Sequence, residues 1–261
     1  MYVDLYKAIE DYAALNISGK NFYALMHENP SFFIKNRSKI SAAETLRQRT
    51  VKERSLEVVY VTGKSGTGKT TFAKYLSTKF NYDCFITGSG DDPFDGYDKE
   101  ECVNIDEFRD GTMRFSELLK LLDNNTNSSV RSRYNNKDIS NCKLIIITTV
   151  FKPQQLYSKM MSEHAENEPA VQLYRRLGYR YWIIEGEKFK GDIKEVKING
   201  DGTESRTGRT LGNMADVFYE LGIDPEAENK TSILDPFIKT LPPTAEEITD
   251  PAENELINQI F

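Results

Sequence analysis

Residues 63–70, Gly-Lys-Ser-Gly-Thr-Gly-Lys-Thr, constrain the fold of this chain more than any other feature. They follow the apolar run 58–61 and precede residues 71–76, whose apolar side chains have helical spacing. A strand, a glycine turn and a helix in this order form a cradle of backbone N–H groups, to which the helix amino end adds partial positive charge. The pattern predicts a phosphate-binding loop, and the alternative is a glycine turn with an incidental lysine.

The loop predicts ATP and Mg²⁺ as ligands. Lys69 is expected to reach the β- and γ-phosphates, and the Thr70 hydroxyl is expected to bind the metal ion. The predicted nucleotide-binding residues are Gly63, Lys64, Ser65, Gly66, Thr67, Gly68, Lys69, Thr70 and Thr71.

The composition is that of an ordinary globular protein. The 261 residues are 39% hydrophobic and 28% charged, enough for one large domain with smaller appendages. We find no apolar run near the roughly 20 residues of a membrane helix and no signal-peptide pattern at the start, so a cytoplasmic protein without membrane contact is expected. The three cysteines lack metal-site spacing and predict free thiols, and the two histidines are too far apart for a zinc site.

The net charge of −6 is unevenly distributed. Residues 224–261 hold nine acidic and two basic residues and read as an acidic flexible tail, which leaves the rest nearly neutral. Seven lysines and arginines lie within residues 32–54. They predict a solvated helix face, a subunit contact or a second nucleic-acid contact. An acidic total therefore does not exclude nucleic acid, because local patches decide binding.

The apolar pattern divides the chain into four parts. Residues 1–55 are predicted helical, with a capping box at Ser41 that should start a helix running to about residue 53. Residues 186–223 predict a hairpin around the turn 199–202 and one more helix, ahead of the tail. Between them, predicted strands and helices alternate, which indicates an α/β fold with a central parallel sheet flanked by helices. The strands are expected at 56–61, 83–87, 102–105, 144–148 and 179–184, and the helices at 70–79, 114–122 and 153–161.

Asp106 and Glu107 directly follow the short run Val-Asn-Ile at 103–105. Asp106 lies 37 residues after Lys69. At the end of a strand next to the phosphate loop, Asp106 is expected to hold Mg²⁺ and Glu107 to orient and deprotonate the attacking water. A solvated strand end is the alternative interpretation. Since a kinase acting on a bound hydroxyl rarely needs such a pair, the two acids favour an ATPase.

These motifs, in their order, resemble the helicase part of rolling-circle replication initiators of plasmids and circular single-stranded DNA viruses. The resemblance covers about residues 56–185. It rests on Asp-Asp-Pro-Phe-Asp-Gly-Tyr at 91–97, the acid pair, a basic segment at 129–137, Ile-Thr-Thr-Val at 147–150 and Leu-Tyr-Arg-Arg-Leu at 173–177. It implies a superfamily 3 helicase, a branch of the AAA+ ATPases with a phosphate-loop core.

The resemblance implies a nucleic-acid-binding hairpin and a ring. The hairpin residues are Arg131, Arg133, Tyr134 and Lys137, which would contact single-stranded DNA, or RNA, through phosphate contacts and stacking; the alternative is a solvated loop. One of Arg175 and Arg176 would enter the neighbouring subunit's site, although helix-end arginines usually pair with nearby acids. The implied assembly is a homo-oligomeric hexameric ring, with residues 1–55 as the oligomerisation segment.

Two departures from the family pattern affect this interpretation. Val150 occupies the position of the sensor asparagine, so Thr148 or Thr149 is expected to substitute, and Thr149 joins the predicted catalytic set of Lys69, Asp106, Glu107, Arg175 and Arg176. The nicking domain's histidine pair is absent from the sequence, so the Tyr-x-x-Lys pattern of Tyr134 and Lys137 reads as coincidence. The chain is a helicase part of a longer initiator or a stand-alone ATPase.

The sequence thus predicts an ATP-dependent helicase or translocase that unwinds DNA in rolling-circle replication. It would act in the bacterial cytoplasm if plasmid-encoded and in the host cell if viral. Two alternatives stay open: a phosphotransferase with a small acceptor, and a nucleotide-dependent assembly module, which Val150 favours.

Overall fold

The computed structural model describes residues 4–17, 19–50, 55–87, 93–124, 129–130, 137–163 and 168–224. Contacts divide the chain into two units, Met1–Leu221 and Gly222–Phe261. Every described helix and strand belongs to the first unit. The predicted acidic tail lies outside the described residues except for Asp224.

Four helices precede the sheet and confirm the predicted helical segment: α1 (Leu5–Ala13), α2 (Gly19–Glu28), α3 (Pro30–Lys35) and α4 (Arg37–Thr50). Their apolar faces form a small core of their own, which includes Tyr12, Phe22, Met26 and Ile40. The predicted helix start at Ser41 is wrong, since α4 begins four residues earlier. Burial of Ile40 in this core, with its N–H donating to the Asn36 carbonyl at 3.0 Å, extends the helix past the local cap signal.

The remaining described elements form an α/β layer structure. The strands are β1 (Glu57–Gly63), β2 (Cys84–Ile86), β3 (Cys102–Ile105), β4 (Ser129–Val130), β5 (Lys137–Asp138), β6 (Leu144–Thr149), β7 (Arg180–Glu185), β8 (Asp192–Ile198) and β9 (Glu204–Asn213). The helices are α5 (Lys69–Lys79), α6 (Phe115–Leu121), α7 (Pro153–Glu163), α8 (Val171–Arg176) and α9 (Met214–Leu221).

Seven strands form one sheet in the order β2-β3-β6-β1-β7-β8-β9. The first five run parallel, as predicted, and all six residues of β6 are buried because helices cover both faces. The cysteines are free thiols: Cys102 and Cys142 are buried and Cys84 is half-buried. Because parallel strands end at one edge, the carboxyl ends of β1, β3 and β6 bring Gly63, Asp106 and Thr149 to the same side of the sheet.

The segment after β7 continues the same sheet. β8 pairs antiparallel with β7, β9 pairs antiparallel with β8, and α9 packs against α5. The first strand of the predicted hairpin begins at Asp192 rather than at Lys188, because residues 186–191 form the turn between β7 and β8. The extension therefore reaches the helix that follows the phosphate loop.

Helices α2 and α4 contact the segment before β3 through a cluster of Tyr23, Glu44 and Lys99. Lys99 donates to the Tyr23 hydroxyl at 2.9 Å and to the Glu44 carboxylate, and Tyr23 donates to the same carboxylate. The Lys99 side chain is 14% exposed. Burial and the neighbouring Glu44 raise the pKa of the Tyr23 hydroxyl, which keeps it a donor. None of the helices in the described part of the chain has the length and hydropathy needed to cross a bilayer.

Candidate active site

The phosphate loop joins β1 to α5 in a backbone conformation that requires glycine. Gly68 has φ +91°, and a Cβ there would lie 2.6 Å from the Met214 methyl carbon. Among the described residues, no side chain caps the amino end of α5 at Gly68. The first N–H groups of α5 are therefore available to an anion, and the helix dipole favours negative charge there.

The Lys69 side chain folds over this loop. Its ammonium donates to the carbonyls of Gly63 and Lys64 at 3.0 and 2.9 Å, and the Thr67 hydroxyl donates to the Lys64 carbonyl at 2.9 Å. Burial lowers the pKa of the Lys69 ammonium below its usual value, while the carboxylates of Glu107 and Asp106 act in the opposite direction. The lysine and the acid pair thus share one electrostatic environment.

Asp106 directly contacts the helix that follows the loop. The Thr70 hydroxyl lies 2.9 and 3.1 Å from the two carboxylate oxygens of Asp106, and the Asp106 N–H donates to the Thr87 hydroxyl at 3.3 Å. A hydroxyl and a carboxylate are hard oxygen ligands of the kind that Mg²⁺ prefers. The donor set fits the predicted metal ion.

Glu107 turns out of the strand direction toward the loop. It has φ +48°, its N–H donates to the Thr148 hydroxyl at 3.1 Å, and its side chain is exposed. Glu107, Lys69 and Thr70 all line a pocket of about 210 Å³. A non-glycine residue in this conformation is held by its surroundings, and such strain is concentrated at functional sites. Glu107 therefore borders the same pocket as the phosphate loop.

The hydroxyl that reaches the acid pair belongs to Thr148, not to Thr149. Thr148 donates to Asp106 at 2.5 Å, whereas the Thr149 hydroxyl donates to the Phe108 carbonyl at 2.8 Å and accepts the Phe151 N–H at 3.2 Å. Thr149 borders the pocket, but its hydroxyl is used by the backbone and its side chain is buried. Val150 borders the same pocket and is 38% exposed.

A family model described as RNA helicase matches residues 59–151, which run from β1 through the end of β6. The matched part contains the phosphate loop, the two acids and Thr148. The chain is also 38% identical over 162 residues to a protein named replication protein from Onion yellows phytoplasma (strain OY-M). That alignment covers 62% of this chain and 39% of the relative's length.

The matched core is similar to the superfamily 3 helicase domains of replication proteins. Both comparisons support the resemblance to replication initiators that the order of the motifs indicated.

The two arginines expected near the superfamily 3 site differ in their surroundings. Arg176 pairs with Asp123 at 3.4 Å, donates to Gln172 and is 14% exposed. Arg175 is exposed, and its guanidinium donates to the Gln172 side chain at 3.1 Å. Neither arginine lines the pocket of its own chain.

The hairpin expected in the superfamily 3 domain is present at its base. Strands β4 and β5 pair antiparallel, Ser129 with Asp138 and Val130 with Lys137. The Lys137 ammonium donates to the Tyr97 carbonyl at 3.2 Å and its side chain is half-buried. Arg131, Arg133 and Tyr134 lie outside the described residues, as do Asp91 and Asp92 of the motif before β3.

Two further residues of the pocket were not found from the sequence. Arg109 is exposed at the pocket, and its charge contributes to the lowered pKa of Lys69. Its position two residues after Glu107 was an available signal. Phe189 also lines the pocket, although it is 120 residues after Lys69 in the sequence. Only the pairing of β7 with β8 places it there.

Proposed function

We propose that this chain is an ATP-dependent helicase or translocase that acts on single-stranded nucleic acid during replication. The observation that carries the proposal is the contact between Thr70 and Asp106, with Glu107 in the same pocket. This arrangement supplies a phosphate cradle, a metal-ligand pair and a carboxylate, as nucleotide hydrolysis requires.

Each side chain then has a specific role. The loop N–H groups and Lys69 bind the triphosphate, and Thr70 and Asp106 hold Mg²⁺, whose charge offsets that of the phosphates when it is bound. Glu107 accepts the proton of the attacking water. Of Thr148 and Thr149, either of which was expected to substitute for the sensor asparagine, Thr148 takes that role, because its hydroxyl bonds to Asp106 and to the Glu107 N–H.

We assign the nucleic-acid contact to the basic segment 131–137, which includes the residues between β4 and β5. Arg131 and Arg133 would neutralise phosphates without regard to sequence, Tyr134 would stack on a base, and Lys137 would add charge at the hairpin base. The name of the phytoplasma relative supports a role in replication. Single-stranded DNA of a rolling-circle replicon, in the compartment that holds the replicon, is the proposed substrate, with RNA as the alternative ligand.

The proposed assembly is a homo-oligomeric ring, hexameric by analogy with the family. Of the two arginines, exposed Arg175 is the better candidate to enter the neighbouring subunit's site, because Arg176 is held by Asp123. An arginine in that position stabilises charge on the transferring phosphoryl group. Helices α1–α4 would form the oligomerisation collar.

Single-turnover ATP hydrolysis, measured with and without single-stranded DNA, tests this function. The proposal predicts hydrolysis that DNA stimulates. DNA-independent conversion of ATP to ADP with transfer of the phosphoryl group to a small acceptor instead of water would favour a phosphotransferase. Nucleotide binding without turnover would favour an assembly module, in agreement with Val150 at the sensor position.

A further inference from the structure

The turn between β7 and β8 lies beside the phosphate loop. Phe189 lines the pocket that contains Lys69, Thr70 and Glu107. A Cβ placed on Gly66 of the loop would lie 3.4 Å from the Lys188 side chain. Residues of this turn therefore line a part of the pocket that neither the phosphate loop nor the acid pair lines.

The turn holds Phe189 in an unusual conformation. The Lys190 N–H donates to the Glu187 carbonyl at 3.1 Å, which closes a four-residue turn, and Phe189 has φ +65°. This position in a turn normally belongs to glycine or asparagine, because a side chain there is strained. A bulky aromatic residue in this conformation indicates that its ring is needed where the turn places it.

The turn is also tightly closed at its base. A Cβ on Gly186 would lie 3.0 Å from the Gly191 Cα, so the two strands meet closely at that point. The Phe189 ring packs edge-to-face against Phe218 of α9, with ring centroids 5.4 Å apart and planes at 90°. Phe218 is buried, and α9 packs on α5, so the ring has a rigid support.

We propose that Phe189 is the nucleobase-binding residue of the site, with its ring stacked on the base of the bound nucleoside triphosphate. The inference depends on the nucleotide site of the proposed function and adds a contact outside the phosphate and metal ligands. Every base has an aromatic face, so stacking holds the nucleotide without strict selection of the base. Exposed Lys188, whose ammonium lies 4.7 Å from the Phe189 ring centroid, adds positive charge beside the phosphate loop.

The test compares two probes that share the phosphates and differ in the base. Dissociation constants for Mg²⁺-ATP and Mg²⁺-tripolyphosphate are measured by calorimetry on the wild type, Phe189→Leu and Phe189→Tyr. Leucine keeps the apolar bulk and removes the ring, whereas tyrosine keeps the ring. Phe80→Leu, a substitution of an exposed phenylalanine at the opposite end of α5, is the matched control.

We expect Phe189→Leu to weaken ATP binding about tenfold and to leave tripolyphosphate binding unchanged. Phe189→Tyr and Phe80→Leu should bind both probes as the wild type does. Equal loss for both probes would mean that Phe189 only supports the loop through Phe218, and no loss for either would exclude stacking; both outcomes overturn the inference. A wild type that binds neither probe would refute the nucleotide site itself, and the inference with it.

Discussion

The Thr70 hydroxyl lies 2.9 Å from a carboxylate oxygen of Asp106. The contact joins the first turn of α5 to the end of β3, and its two residues are 36 positions apart in the chain. It places a hydroxyl and a carboxylate, oxygen groups of the kind that Mg²⁺ prefers, at one point beside the phosphate loop. Metal-dependent nucleotide binding should therefore depend on both groups.

Thr70→Val should remove the Mg²⁺ dependence of ATP binding. The substitution keeps the shape of the side chain and deletes the oxygen, so we expect the affinity for Mg²⁺-ATP to fall about tenfold or more. Thr70→Ser should retain most of the affinity. Thr78→Val, on an exposed threonine of the same helix whose hydroxyl donates to the Lys74 carbonyl, is the control. Titrations with and without Mg²⁺ make the comparison, and an unchanged Mg²⁺ effect in Thr70→Val would contradict the assignment.

Thr148→Val should reduce turnover more than Thr149→Val does. Thr148 bonds to Asp106 and to the Glu107 N–H, and a hydrogen bond to a charged group contributes roughly 1.5–3 kcal/mol. We expect kcat to fall roughly 10- to 100-fold in Thr148→Val, with recovery in Thr148→Ser. Thr149→Val should instead lower the free energy of unfolding by about 1 kcal/mol, because its hydroxyl serves the backbone. The reverse pattern in kcat and Tm would restore the sensor role to Thr149.

Arg175→Ala should impair ATP turnover, whereas Arg176→Ala should reduce stability. Loss of the exposed Arg175 should leave Tm unchanged and reduce ATP turnover by roughly 10³-fold if it acts in the neighbouring subunit. Loss of Arg176 leaves its contacts with Asp123 and Gln172 unmade, so unfolding should require roughly 1–3 kcal/mol less. Mixing Arg175→Ala with Glu107→Gln subunits should restore partial turnover in shared sites. No recovery, with normal assembly, would argue against a role between subunits.

Removing the hairpin charges should flatten the salt dependence of DNA binding. In Arg131→Ala/Arg133→Ala/Lys137→Ala, the slope of log K against log salt should fall by about 2, or about 0.7 for each lost phosphate contact with a single strand. Lys137 should contribute least, because its ammonium already donates to the Tyr97 carbonyl. A triple alanine variant at three exposed lysines, Lys74, Lys190 and Lys197, is the matched control. An equal decrease of the slope in both variants would mean that DNA binding depends on general surface charge and not on the hairpin residues.

The sequence predicted the central fold because its signals are local. Each main element can be recognised from about ten consecutive residues. These elements are the strand before Gly63, the helix after Gly68 and the short run that ends at Asp106. Their common edge then follows from the rule that parallel strands end on one side of a sheet. The start of α4 was wrong because Ile40 is buried against distant helices, and the capping box at Ser41 does not report that burial.

The remaining parts of the site depend on three-dimensional contacts. All residues of β6 are buried, so alternation of polar and apolar residues gave no information on whether Thr148 or Thr149 faces the acids. Phe189 reaches the pocket through the β7–β8 pairing and the support of Phe218, which no short pattern records. The two adjacent arginines, Arg175 and Arg176, differ only through the position of Asp123.

The most direct measurement is ATP turnover and ATP binding in Glu107→Gln, with Glu117→Gln in the first turn of α6 as the control. The amide keeps the size of the side chain and cannot accept the proton, so we expect a 10²- to 10⁴-fold loss of kcat with ATP affinity within about twofold of the wild type. Wild-type turnover in Glu107→Gln would mean that the carboxylate beside the loop has no part in hydrolysis, and would refute the proposed role of Glu107.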